Sequence, residues 1–144
     1  MKSKGFVALL LGALIAIVTA FAHMSCIVIG PSCFKAQLAP PHIVRSAMEG
    51  TSTAVIETII VSSLFLACAF FAVSGAGLIR RLPFLKSALI TISIICLVRG
   101  LATIPLLFYE PVLRSTYGII SGFIWFLAGC LYLYGFIWVR QTRL

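Results

Sequence analysis

The chain has 144 residues, of which 62% are hydrophobic and only 10% charged, with a mean hydropathy of +1.18. A soluble domain carries about 45–50% apolar and about 25% charged residues, so this composition excludes a soluble enzyme or a free binding domain. The 11 Lys and Arg against 3 Asp and Glu give +8, but the cations cluster at the ends of apolar runs and form no nucleic-acid-binding face.

A bilayer span needs about 20 mostly apolar residues. Four stretches qualify, at about 5–24, 53–73, 85–104 and 117–139. The first is uncharged. It follows Met1-Lys2-Ser3-Lys4 and ends near Ala20-Phe21-Ala22, which also fits a signal peptide with an A-x-A cleavage site. The apolar run from Phe6 to Ala22 is long for such a leader, which favours a retained helix. Ala8, Gly12, Ala16 and Ala20 recur at every fourth position, the small-residue spacing that lets helix backbones approach in lipid. Gly118 and Gly122 repeat it in the fourth span. Such stripes predict packing faces within a bundle or a seam between two copies of the chain.

The segment 25–52 is the longest non-spanning piece. Gly30-Pro31 and Ala39-Pro40-Pro41 punctuate it, and His42 to Glu49, closed by Gly50, predicts a short amphipathic helix. Ile43 with Ala47 and Val44 with Met48 form i,i+4 apolar pairs, and Arg45 with Glu49 a charged pair. This helix is expected to lie on the external membrane surface or to cap the bundle. Cys26 and Cys33 flank Gly30-Pro31, and outside the cytoplasm a structural disulfide between them is expected. The alternative, redox catalysis of the quinone-linked thiol-oxidase kind, would use a close pair such as C-x-x-C, which is lacking here. Cys68, Cys96 and Cys130 fall inside spans and read as small apolar residues.

The second span contains Glu57 and the third Arg99, with Pro105 as its expected stop. Counted from those ends, Glu57 lies about 6 Å and Arg99 about 8 Å below the same surface. Charges within a membrane are costly and normally paired, so an interhelical ion pair is expected, with His23 near enough to join it. Its readings are a structural clip fixing helix register, a proton-linked carboxylate of a small exporter, or an arginine-centred pocket for an anionic ligand. Gly75-Ala76-Gly77 reads as a helix end and turn. Arg80, Arg81 and Lys86 are expected to meet anionic lipid headgroups. No HExxH, carboxylate pair on one helix or phosphate loop is present. Neither a catalytic residue nor a metal or cofactor site is therefore assigned.

Charge asymmetry sets the orientation. Lys2, Lys4, Arg80, Arg81, Lys86, Arg140 and Arg143 fall on one side, and Lys35, Arg45 and Arg114 on the other. The positive-inside rule then places both termini and the middle loop in the cytoplasm. Trp138 beside Arg140, and Tyr109 and Tyr117 at the opposite face, fit interfacial aromatics.

Ser25-Cys26-Ile27, Gly30-Pro31, Ala39-Pro40, Ser74-Gly75-Ala76-Gly77 and Val98-Arg99-Gly100 together resemble a group of short, uncharacterised bacterial four-helix integral membrane proteins. In size and layout the chain also loosely resembles DoxX-type proteins. The resemblance implies a bacterial inner-membrane protein with an antiparallel bundle, and it carries over no catalytic residue.

The expected fold is all-α, a single transmembrane domain over 1–144. It is an antiparallel four-helix bundle, N-in and C-in, with a short helix in the first external loop. The expected function is that of a non-enzymatic structural or accessory subunit. Its partners are the lipid bilayer and other membrane proteins or a second copy, with no nucleic acid. The alternatives are a small transporter or ligand-binding protein centred on Glu57, Arg99 and His23, or a thiol-redox protein using Cys26 and Cys33.

Overall fold

A computed structural model describes residues 2–142, including every side chain in that range except those of 2, 3 and 112. Of the cations that set the expected orientation, Arg143 and the side chain of Lys2 fall outside it. Among the described residues the chain is entirely helical. The helices are α1 (Lys2–Ile29), α2 (Pro31–Ala36), α3 (Pro41–Glu49), α4 (Thr53–Ala76), α5 (Leu85–Tyr109) and α6 (Thr116–Thr142), with a 3₁₀ turn at Pro111–Arg114. α1, α4, α5 and α6 are long and apolar enough to cross a membrane.

Local chemistry explains the boundaries. Pro31 and Pro41 open α2 and α3, where the missing N–H would in any case be unpaired. Gly30 at φ 97°, Gly50 at φ 69° and Gly77 at φ 86° occupy left-handed conformations that other residues adopt at a cost, and they turn the chain there. α1 runs past Met24 to Ile29, so Cys26 belongs to that helix and not to a loop. Pro105 does not end α5, which continues through Leu106, Leu107 and Phe108 to Tyr109. A proline removes one helical hydrogen bond, while breaking the helix in an apolar run would orphan several. Arg114 secures this extension by donating to the carbonyls of Leu107 (2.7 Å) and Phe108 (3.4 Å) at the helix C-terminus.

The four long helices form two antiparallel pairs, α1 with α4 and α5 with α6, joined chiefly through α1 and α6. Small residues set the close approach. Ala8, Gly12, Ala16 and Ala20 are all buried. A Cβ on Gly12 would stand 3.0 Å from the Tyr132 ring, so this stripe packs within the chain's own bundle rather than on its surface. Gly122 faces Thr103 and Gly100 faces the backbone of Phe126, which locks α5 to α6. Leu9, Leu89 and Val139, fully buried, meet around Gly75 from the other three helices. Hydrogen bonds cross the seams as well. The Tyr132 hydroxyl donates to the Cys68 carbonyl (3.0 Å), Ser93 to Gly129 (2.9 Å) and Ser62 to Ala20 (3.3 Å). Packing and such bonds drive helix association where lipid is as apolar as leucine.

One end of the bundle, termed here the termini end, carries the start of α1, the end of α6 and the α4–α5 connection. The other is covered by α2 and α3, termed here the capped end. A second, smaller core of Cys26, Phe34, Ile43 and Ala54 lies beneath the cap.

Candidate functional site

At the capped end, a disulfide joins Cys26 of α1 to Cys33 of α2, with Cα atoms 5.1 Å apart. The turn at Gly30 folds α2 back against α1 and brings the two cysteines together. Gln37, just past α2, donates to the Ala22 carbonyl (2.8 Å), fixing the same turn from the other side. Cys26 is wholly buried and packs with Phe34. The pair is thus built into the cap's own core.

α3 rests on the bundle rather than lying apart from it. Its buried side holds Ile43 and Ser46. Ser46 is a residue that sequence reasoning passed over. Its hydroxyl oxygen accepts from the Ala54 N–H in the first turn of α4 (2.8 Å) and lies 2.6 Å from the Thr51 hydroxyl. Ser52, the residue at the α4 N-cap, makes no side-chain cap bond, so Ser46 serves that role from a neighbouring helix. The Arg45 and Glu49 pair does not form, since the one salt bridge among the described residues joins His42 and Glu57. Both side chains are exposed, where water competes effectively for an i,i+4 pair.

Glu57 faces the cap. His42 Nε2 of α3 lies 3.3 and 3.2 Å from its two carboxylate oxygens, with both side chains about half exposed. Arg99 is elsewhere, its guanidinium donating to the Thr103 hydroxyl at 3.4 Å. The expected Glu57–Arg99 ion pair is therefore absent among the described residues, and helix register explains why. Because α5 runs on to Tyr109, Arg99 lies about 15 Å from that end of the helix. Gly100 sits against Phe126, and the neighbouring Trp125 ring lies 5.7 Å from Phe65. Arg99 is thus roughly level with Phe65, about 12 Å deeper than Glu57 along α4.

His23 also has a different neighbour. Its ring stacks on Phe65 at a centroid distance of 5.5 Å and an interplanar angle of 18°. His23, Phe65 and Trp125 form an aromatic row linking α1, α4 and α6, and no spacing within any single span announces it. Glu57, Arg99 and His23 engage three separate partners and do not converge on one centre.

Two open clefts lie at the ends of the bundle. The larger, about 910 Å³, separates the cap from the 3₁₀ turn after α5. Lys35, Arg45, Glu49 and Glu110 lie around it, over an apolar floor that includes Val44 and Leu113. The smaller, about 320 Å³, is lined by Lys86, Ser87 and Ile90 of α5 and Phe136 and Arg140 of α6. Trp138, expected at an interface, packs its indole against Gly5 near the start of α1. Of the remaining cysteines, Cys96 is buried, Cys68 half-buried and Cys130 exposed. No cluster of His, Cys, Asp and Glu able to hold a metal ion occurs among the described residues.

Compared with protein-family models, curated proteins and solved structures, the chain matches none of them.

Proposed function

We propose that the protein is a non-enzymatic accessory subunit of a bacterial inner membrane, assembling with a second membrane protein through the exposed flank of α5. The observation that carries this reading is Arg99. It is exposed, near the middle of a 25-residue apolar helix, beside the exposed Ile95 and Val98. Its described partner is one hydroxyl at 3.4 Å. A cation at that depth normally faces a partner that neutralises it. A second copy of this chain is poorly suited to that task. All three acidic residues, Glu49, Glu57 and Glu110, lie at or near the capped end, well away from the level of Arg99. The partner therefore brings its own intramembrane carboxylate.

The orientation belongs to the same proposal: termini in the cytoplasm, cap outside. Two independent features support it. Cations are concentrated at the termini end. The disulfide lies at the opposite end, where an oxidising compartment maintains it. A transporter centred on Glu57, Arg99 and His23 gains no support from side chains that face apart. A redox role is disfavoured by the complete burial of Cys26. The proposed membership in the short four-helix membrane proteins is consistent with this layout.

The test is extraction of the full chain from native membranes under mild conditions, followed by mass measurement of the particle. The chain should travel with a stoichiometric membrane protein carrying an in-span Asp or Glu. Arg99→Leu should release that protein without lowering thermal stability, and Arg99→Lys should retain it. A free 15.6-kDa chain in native extracts, with Arg99→Leu merely raising yield, would overturn the reading.

A further inference from the structure

The cleft at the termini end is lined by two cations and, among the described residues, by no acidic side chain. Lys86 opens α5, Arg140 closes α6, and both line the same cleft of about 320 Å³. The chain has no aspartate, and its three glutamates all lie at or near the opposite end of the bundle. No acidic side chain of this chain can therefore reach the pair. Two cations lining one cleft favour an occupant of opposite sign. The rest of the lining fits one kind of anion. Ser87 offers a hydroxyl beside Lys86, while Ile90 and Phe136 supply an apolar wall one turn further along each helix. A phosphate with a hydrocarbon chain attached matches this sequence of surfaces; a bare inorganic anion leaves the wall unused.

We infer that this cleft binds an anionic phospholipid, its phosphate held by Lys86, Arg140 and Ser87 and its first acyl segment lying along Ile90 and Phe136. The inference also sorts the cations of this end. Arg80 and Arg81, six and five residues before Lys86, do not line the cleft. They attract an anionic surface generally, whereas Lys86 and Arg140 select a headgroup. The proposal rests on the membrane reading above and not on the identity of the protein partner.

The experiment is native mass spectrometry of the full chain in detergent, titrated separately with phosphatidylglycerol, phosphatidylcholine and inorganic phosphate. Phosphatidylglycerol should bind selectively. The double variant Lys86→Ala/Arg140→Ala should weaken it about tenfold or more, as expected for the loss of two surface cations. Arg80→Ala/Arg81→Ala, which removes the same charge, should leave it within about twofold. Equal losses from the two double variants, or equal binding of phosphatidylcholine, would overturn the site. Displacement of the lipid by millimolar phosphate would show an inorganic-phosphate site and overturn the lipid assignment. If the double variant fails to fold, Lys86→Gln and Arg140→Gln singly provide the comparison, and an unchanged lipid affinity in both refutes the proposal. A chain that remains membrane-integral yet shows no headgroup preference refutes this inference alone.

Discussion

Substitution of Gly100 by alanine tests a close backbone approach between α5 and α6. A Cβ built there stands 2.6 Å from the Phe126 nitrogen and 2.8 Å from its Cα. These are backbone atoms of α6 and cannot rotate aside, so ordinary contact requires the helices to part by about 0.8 Å. A gap of that size forfeits about a quarter to a half of each dispersion contact across it. The Ser93–Gly129 hydrogen bond and the fit of Thr103 to Gly122 lie along the same seam. Overpacking of this kind costs about 3 kcal/mol, against which alanine returns about 1 kcal/mol of helix propensity. The expected net loss is about 2 kcal/mol. Gly12→Ala is the internal control, because its Cβ would meet only the edge of the Tyr132 ring at 3.0 Å, a side chain that can shift by a few tenths of an ångström. That variant should lie within about 0.5 kcal/mol of wild type. Equilibrium unfolding in mixed micelles, followed by far-ultraviolet circular dichroism, measures both. A Gly100→Ala protein as stable as wild type would refute the assigned α5–α6 interface.

Further outcomes follow from the cap and the crossing hydrogen bonds. Removing the disulfide with Cys26→Ser/Cys33→Ser should cost about 2 kcal/mol, a value set by the short chain closed between residues 26 and 33, and hydrogen exchange should rise across α2 and α3 while α5 and α6 stay protected. Ser46→Ala deprives the α4 N-terminus of its hydroxyl acceptor, and a loss of about 1 kcal/mol with faster exchange at the Ala54 amide is expected. Tyr132→Phe removes one bond while keeping the ring, so about 1 kcal/mol should be lost in the same unfolding assay. Glu57→Gln should change stability by less than about 1 kcal/mol, because its partner His42 is itself exposed, and adding Arg99→Gln should neither rescue nor deepen that effect. A marked rescue in that double variant would re-establish the ion pair.

The four long helices were legible because their signal is compositional. An apolar run of some 20 residues has few alternatives once every backbone group must bond within its own segment. Gly77 after α4 and Gly50 after α3 were legible for an equally local reason, since a left-handed residue after a helix favours glycine. The register of one helix against another has no such local signature. Pro105 looked like a stop, and α5 passed through it. The five additional residues moved Arg99 away from the level of Glu57, and an inference based on matching depths could not survive that shift. His42 as the partner of Glu57, Ser46 as the distant cap of α4, and the row of His23, Phe65 and Trp125 each join residues from different helices.

Sequence alone therefore determined the helical class, the number of long apolar segments, the presence of a cap helix and which residues were small enough to be interfaces. The fold decided which interfaces were used. It turned the Gly12 stripe inward, placed Lys86 and Arg140 on one cleft, and left Arg99 uncovered. The physical reason is the range of the forces involved. Backbone hydrogen bonding and apolar transfer act within one segment and can be read along it. Side-chain contact acts over a few ångströms between segments, and small changes in helix length or rotation reassign every partner.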